Sequence, residues 1–307
     1  GYQGPLTVEQ FKGGQSNPTY RLDTPARSYV LRRKPFGKLL PSAHAVDREF
    51  RVIAALGKQG FPVAKAYALC NDDSVIGAAF YIMSMEEGRV FWDPTLPHVA
   101  APERRAIFTS KIETLARLHS YAPAAIGLAE FGKPGNYFAR QVDRWTKQYR
   151  ASETEHLPEM EKLIEWLPRT LPAQQRVSIV HGDYRLDNMI FHATEPRVIA
   201  VLDWELSTLG DPMADFTYLL MQWIMPGLDG ADLKALNIPT MEEAAAIYGG
   251  VTGTELPDLN WYFAYNLFRL AGILQGIIGR IRDGTAANDK AIESVKRMVP
   301  MTKQAWA

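Results

Sequence analysis

The stretch VHGDYRLDNMIF at residues 180–191, followed by RVIAVLDWE at residues 197–205, decides the fold of this chain. An apolar segment precedes the HGD triplet that ends at Asp183, and Asn188 follows five residues later. Asp203 ends the next apolar run, twenty residues after Asp183. Carboxylates are costly to bury without a partner, so acidic residues at the ends of two apolar strands indicate a functional site.

The spacing of these three residues predicts a phosphoryl-transfer site. A hairpin formed by NMIF and RVIAVL returns the chain beside its start and brings Asp203 next to Asn188. Their oxygens are the hard ligands that Mg²⁺ prefers, while Asp183 faces an incoming hydroxyl as its base. Taken singly, these residues are typical turn residues or a helix cap. Their combination favours the catalytic interpretation.

The composition excludes several other classes of function. Lysine plus arginine and aspartate plus glutamate both number 34 in 307 residues, so no overall basic charge favours nucleic acid or a membrane surface as a partner. Cys70 is the single cysteine, which excludes an internal disulfide and favours a cytoplasmic setting. The first residues do not resemble a signal peptide, and AGILQGIIGRIRDG is too short and too charged to span a bilayer. The sequence does not indicate an oligomeric state.

The order of predicted elements indicates an α+β chain with two lobes. Residues 1–86 contain strands such as TYRLDT and SYVLRR with one amphipathic helix, HAVDREFRVIAAL. Residues 87–307 are mainly helical: PERRAIFTSKIETLARLHS, the segment 137–167, MEEAAAIYGG and WYFAYNLFRLAGILQGIIGRIRD all read as helices. We therefore predict a small β-rich lobe at 1–86 and a larger helical lobe at 87–307, into which the hairpin is inserted.

HGDYRLDN with VLDWE resembles the aminoglycoside phosphotransferase and choline kinase-like superfamily, whose members share the two-lobed protein kinase-like fold. GGQSNPTYRL, YVLRRKPFG, HGDYRLDNMIF and LDWELSTLGDPMADF are most similar to the kinase-like domain of acyl-CoA dehydrogenase family members 10 and 11. The resemblance extends from about Gly13 to Ile281. It implies ATP or GTP as co-substrate, Mg²⁺, and transfer of the γ-phosphate to a hydroxyl of a small molecule.

In the small lobe, the resemblance implies a nucleotide clamp. GGQSN corresponds to the loop that covers the nucleotide, in which Gly13 and Gly14 allow close backbone approach and Ser16 and Asn17 donate to phosphate. A plain hairpin turn is the alternative for this segment. Arg32 stands where kinases carry a phosphate-pairing lysine. Its guanidinium can bind phosphates and pair with Glu49, although Arg33 or Lys34 takes that place if the register shifts by a residue.

Residues 81–88, YIMSMEEG, correspond to the connection between the lobes. Backbone groups around Ser84 and Glu86 are the expected contacts for the purine, with Met83 and Met85 as apolar neighbours. Methionines at alternating positions are equally typical of ordinary core.

The catalytic loop carries two further residues of interest. We interpret His181 as a structural brace for the loop. Arg185 lies two residues after Asp183, where its charge can neutralise the transferring phosphate, or else form a salt bridge with Asp187 or Asp183. Glu205 replaces the glycine of the kinase DFG motif, so activation by a flipping loop is not expected.

Two further segments are open to more than one interpretation. Asp211 and Asp215 are expected to cap the following helix and anchor it to the catalytic loop rather than to bind metal. The helix WYFAYNLFRL offers a wall for the acceptor or simple core packing. The residues predicted for that wall are Trp261, Tyr262, Tyr265, Asn266 and Arg269.

The leading hypothesis is a small-molecule kinase acting on a neutral or anionic metabolite, with a hydroxyacyl-CoA implied by the subgroup. A nucleotide-binding pseudokinase with a regulatory or scaffold role is the alternative, since Arg32 and the absent glycine depart from the usual kinase pattern. A protein kinase is a third option, weakened by the short segment between DWE and the next helix.

Overall fold

The small lobe is an antiparallel sheet of five strands carrying one helix. The structure is a computed structural model that describes residues 3–11, 17–37, 45–133, 135–225, 228–282 and 298–306. The strands are β1 (Thr7–Gln10), β2 (Thr19–Asp23), β3 (Ser28–Arg33), β4 (Ala66–Cys70) and β5 (Phe80–Ser84), in the order β1-β2-β3-β5-β4. Strands β1 and β4 were not predicted from the sequence, because neither shows a clear alternation of buried and exposed residues.

Helix α1 (Val46–Lys58) packs on this sheet through the apolar face that the sequence predicts. Val52, Ile53 and Leu56 are buried there, as is one charged residue, Glu49. In β3, Arg32 lies opposite Tyr81 of β5. The helix therefore places an acid directly beneath the central strand of the sheet.

The large lobe consists mainly of helices, as predicted. They are α2 (Ala101–Ser120), α3 (Tyr137–Ser152), α4 (Pro158–Arg169), α5 (Met213–Ile224), α6 (Leu233–Leu236), α7 (Met241–Thr252), α8 (Asn260–Arg282) and α9 (Met298–Trp306). The helical segment predicted over 137–167 is two helices, because the chain leaves the helix after Ser152 and Pro158 starts the next one. α8 packs against α3, α5 and α9.

Two short antiparallel pairs carry the chemistry-bearing segments. β6 (Ser178–Val180) pairs with β9 (Thr208–Gly210), and β7 (Met189–Phe191) pairs with β8 (Val198–Val201). The second pair is the predicted hairpin, and the amide of Leu202 donates to the carbonyl of Asn188 at 2.9 Å. Asp203 and Asn188 therefore lie at the same end of the hairpin.

The connection between the lobes packs tightly on this hairpin. A Cβ added at Gly88 would lie 2.1 Å from the carbonyl oxygen of Phe191, and Arg89 pairs with Phe191 through two backbone hydrogen bonds of 2.8 Å. Only glycine fits at position 88. The kinase-like α+β fold is confirmed, while the lobe boundary between residues 86 and 87 stays a prediction. Within the described residues, no helix combines the length and hydrophobicity needed to cross a bilayer.

Candidate active site

Asp183 is held from two sides at the end of β6. Tyr218 of α5 donates its hydroxyl to Asp183 Oδ1 at 2.8 Å, and Asn188 Nδ2 donates to Asp183 Oδ2 at 3.0 Å. Burial, followed by the neighbouring Asp183, raises the pKa of Tyr218, so the phenol keeps its proton and remains a donor. The side chain of Asp183 is 24% exposed, and its carboxylate is therefore oriented by the protein while staying accessible.

Gly182 gives the HGD triplet its sharp turn. Its φ of +87° lies in the left-handed region, where a side chain is strained. A Cβ added at Gly182 would also lie 2.9 Å from the backbone oxygen of Leu206. The glycine is therefore required both by backbone conformation and by the close approach of the segment that follows Asp203.

His181 braces the catalytic loop, as the sequence analysis expected. Its ring is fully buried, with Nε2 2.8 Å from the carbonyl of Leu202 and Nδ1 3.2 Å from the amide nitrogen of Asp183. These partners require Nε2 to carry the proton and Nδ1 to accept. The imidazole thus ties the loop to the hairpin.

Asp215 anchors α5 to the same loop. Its carboxylate accepts the amide of Gly182 at 2.9 Å and that of His181, and it lies 3.4 Å from Nε2 of His119. Burial alone raises the pKa of Asp215, but hydrogen bonds and charge from His119 outweigh it, so the pKa lies below its usual range. Asp211 accepts from the amide of Met213 at the start of α5, and burial raises its pKa to about 6. Of the two roles expected of this pair, Asp215 therefore anchors the helix to the catalytic loop and Asp211 caps the start of the helix.

Asp203 and Asn188 form the candidate metal site. Asp203 adopts a left-handed backbone with φ of +62°, which is uncommon outside glycine and typical of functional positions. Since Asn188 Nδ2 faces Asp183, its amide oxygen is the remaining ligand atom on that side chain. A carboxylate and an amide oxygen are the ligand types that suit Mg²⁺. Their role as metal ligands stays a prediction.

Arg32 links three carboxylates across the two lobes. Its Nη2 lies 2.9 Å from Asp203 Oδ1 and 3.4 Å from Glu205 Oε2, and its Nε lies 3.0 Å from Glu49 Oε2. The last contact is an ion pair that lacks hydrogen-bond alignment. The predicted pairing of Arg32 with Glu49 is present in the structure. Arg32, and not Arg33 or Lys34, is therefore the residue that faces Glu49. The contact of Arg32 with nucleotide phosphates stays a prediction.

Glu49 is the most deeply buried acid of this cluster, at 1% exposure. It accepts from Asn17 Nδ2 at 2.7 Å and from the hydroxyl of Tyr81 at 3.1 Å. Burial raises the pKa of Glu49 to about 7, although Arg32 and Tyr81 lower it. The carboxyl is therefore poised between its neutral and ionised forms near neutral pH.

This raised pKa predicts a pH-dependent stability. Between the ordinary pKa of 4.5 and about 7, the unfolded state loses the proton of Glu49 while the folded state keeps it, so Glu49 lowers the free energy of unfolding as pH rises. We expect a loss of roughly 1–3 kcal/mol from pH 4.5 to pH 8 in the nucleotide-free protein. Urea unfolding of wild type and Glu49→Gln measures it, because glutamine has no proton to lose. If the two proteins show parallel pH profiles, the pKa of Glu49 is not raised.

The loop predicted to cover the nucleotide is only partly described. Gly13, Gly14 and Ser16 lie outside the described residues, so their predicted contacts with phosphate stay predictions. Asn17 has a partner within the protein: its side chain is 2% exposed and its amide donates to Glu49. Asn17 therefore stabilises the buried acid in this conformation, and its predicted contact with phosphate stays a prediction.

In the connection between the lobes, the amide and hydroxyl of Ser84 have partners within the protein. The amide of Ser84 donates to the carbonyl of Lys65 at 2.9 Å, while its hydroxyl accepts from the amide of Lys65 and donates to the carboxylate of Glu86. The Ser84 amide and hydroxyl thus bind the residue before β4 and the connection itself, and the predicted purine contact of backbone groups around Ser84 stays a prediction. The predicted purine contact at Glu86 stays a prediction, and the carboxylate of Glu86 fixes the shape of the connection.

Arg185 has both of the acidic neighbours that the sequence analysis weighed. It forms a close ion pair with Asp187, and its Nε lies 3.7 Å from Asp183 Oδ1. Its side chain is 50% exposed. The guanidinium therefore lies beside the base with room to contact a ligand, and its predicted role at the transferring phosphate remains a prediction.

The aromatic wall predicted on α8 is wrong for most of its residues. Tyr262, Tyr265 and Asn266 are buried in the core, and Asn266 donates to Thr217 at 2.8 Å. Arg269 is also buried, donates to the carbonyl of Gly182 and lies over the Tyr218 ring at 5.1 Å. Trp261 donates to the Thr170 hydroxyl at 3.0 Å and stacks on Tyr265. Of these side chains, Arg269 contacts the catalytic loop directly, and Asn266 binds α5.

Tyr218 and Lys111 are residues near the catalytic loop that the sequence analysis missed. Tyr218 lies three residues after Asp215, a spacing that places both on one face of α5 and that a helical projection would have revealed. Lys111 of α2 is 1% exposed, and burial lowers the pKa of its ammonium to about 7, against the opposing charge of Asp187. Lys111 gave no signal in the sequence, because α2 carries several other charged residues.

The class of kinase-like phosphotransferases is defined by a two-lobed fold and a set of site residues. The site has an oriented aspartate, an adjacent amide and carboxylate, and an arginine paired with a helix glutamate. The chain belongs to the phosphotransferase enzyme family, whose profile matches residues 7–247. It is 47% identical over 311 residues to mouse acyl-CoA dehydrogenase family member 10, covering 99% of this chain and 29% of that protein. Rat family member 11 is 43% identical over 307 residues, covering 97% of this chain and 39% of that protein.

Solved structures agree with this assignment. A protein from Ralstonia eutropha jmp134 that carries the provisional name aminoglycoside phosphotransferase is 51% identical and has a TM-score of 0.92, covering 100% of this chain and 93% of that chain. A thermostable aminoglycoside phosphotransferase APH(4)-Ia, solved with AMP-PNP and hygromycin B, has a TM-score of 0.64 at 14% identity, covering 98% of this chain and 93% of that chain. The second similarity shows the fold alone. The chain spans less than half the length of the curated relatives above.

Proposed function

We propose that this protein transfers the γ-phosphoryl group of ATP or GTP to a hydroxyl of a small molecule. The observation that carries the proposal is the carboxylate of Asp183, which Tyr218 and Asn188 orient at the loop that also bears Arg185. A base fixed in this way can accept the proton of an acceptor hydroxyl. We also propose a cytoplasmic location, on the grounds of the single cysteine.

The proposed reaction assigns a task to each group. Asp183 accepts the proton as the acceptor oxygen bonds to the γ-phosphorus and the bond to the β–γ bridging oxygen breaks. Arg185 lies where it can stabilise charge on the transferring group. Mg²⁺, when bound by Asn188 and Asp203, supplies charge neutralisation on the phosphates. Arg32, oriented by Glu49, presents its guanidinium to the same phosphates.

We propose a neutral or anionic metabolite as the acceptor, with a hydroxyacyl-CoA as the first candidate. The similarity to acyl-CoA dehydrogenase family members supports this choice. Two cations, Arg185 and Lys111, also lie close enough to the carboxylate of Asp187 to interact with it electrostatically. Positive charge next to the base disfavours a polycationic acceptor such as an aminoglycoside.

One observation favours a nucleotide-binding pseudokinase as the second candidate. Asp203, the proposed metal ligand, is engaged by Arg32 at 2.9 Å. If Arg32 kept this contact in the presence of nucleotide, it would compete with the metal for the carboxylate.

ADP release tests the proposal against the pseudokinase alternative. Purified protein with Mg²⁺-ATP or Mg²⁺-GTP is given hydroxylated acyl-CoAs, choline, sugars and aminoglycosides one at a time. We expect one class to accelerate ADP or GDP release well above the rate with water, and that product to gain a phosphate by mass spectrometry. Binding of Mg²⁺-ATP without acceleration by any acceptor would support the pseudokinase.

A further inference from the structure

A polar strip crosses the otherwise apolar helix α5. Asp215, Tyr218 and Gln222 recur at spacings of three and four residues, which places them on one helical face. Asp215 binds the backbone of the catalytic loop and Tyr218 binds Asp183. Gln222 Oε1 accepts from Lys111 Nζ at 2.8 Å. The strip therefore continues beyond the base to a buried lysine that the proposed reaction does not use.

Lys111 is fixed directly against the catalytic loop. Its side chain is 1% exposed, and its backbone carbonyl accepts from the hydroxyl of Tyr184, the residue after Asp183, at 2.8 Å. Asp187 of the same loop stabilises the ammonium electrostatically, while Arg185 opposes it. A buried ammonium is costly unless it is paired, so its retention beside the base requires an explanation.

At this end of the strip, the polar groups that lack hydrogen-bond partners are donors. Within the described residues, Nε2 of Gln222 is buried without a hydrogen-bond partner. The ammonium of Lys111 offers three donors, and in that same part of the chain it makes one hydrogen bond, to Gln222. Gln222 as a whole is only partly buried, so other atoms of this residue reach solvent while its Nε2 and the Lys111 ammonium lie beneath them. Adjacent donors without acceptors are suited to an oxygen from outside the protein.

We propose that Lys111 and Gln222 form a subsite that binds a carbonyl or carboxylate oxygen of the acceptor. The inference rests on the proposed function, because it takes the reacting hydroxyl to lie at Asp183. Tyr218 and Gln222 are one helical turn apart, so the bound oxygen lies roughly 5 Å further along α5 than that hydroxyl. The subsite selects hydroxylated acyl compounds over cationic acceptors, which offer no such oxygen at this position.

Binding measurements test the subsite without requiring turnover. Protein saturated with Mg²⁺-AMP-PNP is titrated by calorimetry with 5-hydroxypentanoyl pantetheine, with its thioether analogue in which a methylene replaces the carbonyl, and with 5-hydroxypentanoate. The flexible chain spans the distance between the base and the subsite. We expect the thioester or the carboxylate to bind at least about tenfold tighter than the thioether, and the tighter one identifies the source of the oxygen.

The variants Lys111→Met and Gln222→Leu are expected to reduce this preference to within about twofold, by weakening binding of the oxygen-bearing ligand alone. Gln275→Leu is the matched control, since Gln275 is a buried amide on α8 that binds Ser152 and Thr154, and this variant keeps the preference. Two variants are tested in case one of them fails to fold, and thermal unfolding shows whether each is folded.

Three outcomes overturn the subsite: equal binding of all three ligands by wild type, no binding of any of them, or a preference that survives both variants. Failure of the proposed function looks different. If no acceptor accelerates ADP release, yet the preference depends on Lys111, the subsite stands and the kinase proposal falls. If ADP release is fast and the preference ignores Lys111, only the subsite falls.

Discussion

Asp183→Asn is expected to lower kcat for phosphoryl transfer by about 10²- to 10⁴-fold, the range associated with loss of a general base. Asparagine keeps the shape of the side chain and an oxygen that accepts from Tyr218, whereas it cannot take a proton from the acceptor hydroxyl. KM for nucleotide should change little, since the carboxylate of Asp183 is not assigned to the metal or the phosphates. Steady-state ADP release and AMP-PNP binding measure the two effects separately.

Asp143→Asn is the matched control for this substitution. Asp143 lies on α3, pairs with Lys147 and is 60% exposed, so the same chemical change there should leave kcat within about twofold. A variant with Asp183→Asn that keeps more than a tenth of wild-type kcat would show that Asp183 is not the base. Loss of AMP-PNP binding in that variant would instead indicate a structural role.

The catalytic loop was predictable from sequence because its geometry is local. Asn188 and Asp203 flank one hairpin and Asp183 lies in the loop that leads into it, so their spacing along the chain nearly fixes their spacing in the fold. The pairing of Arg32 with Glu49 was predictable for a similar reason, since the strand and helix registers place both side chains on facing surfaces.

The groups that orient this loop were harder to predict from the sequence, because they come from distant parts of the chain. Tyr218 reaches Asp183 from 35 residues away, and Lys111 reaches Gln222 from 111 residues away. Asn17 and Arg269 were predicted to contact ligands because both are polar residues near the site. The structure pairs Asn17 with Glu49 and Arg269 with the carbonyl of Gly182, since a buried polar group usually has a partner within the protein.

Arg32→Met is expected to lower the free energy of unfolding by about 3–5 kcal/mol at pH 8, the typical effect of removing one partner of a buried ion pair. Arg32 is the cation shared by Glu49, Asp203 and Glu205. Its charge lowers the pKa of Glu49, so without Arg32 the buried carboxyl at pH 8 must either stay ionised without a partner or take up a proton, and both cost free energy. At pH 5 the loss should be smaller, because Glu49 has a pKa of about 7 and is then protonated with or without Arg32. Urea unfolding at the two pH values measures the difference.

The double variant Arg32→Met/Glu49→Gln separates the structural role of Arg32 from its proposed role in nucleotide binding. Glutamine leaves no buried charge, so we expect most of the stability at pH 8 to return. Affinity for Mg²⁺-AMP-PNP should stay at least about tenfold below that of wild type, since charged hydrogen bonds to the phosphates are still missing. Glu49→Gln alone, which keeps Arg32 and its contact with Asp203, is the control and should bind nucleotide more tightly than the double variant. A double variant that binds Mg²⁺-AMP-PNP as tightly as wild type would confine Arg32 to holding the two lobes together.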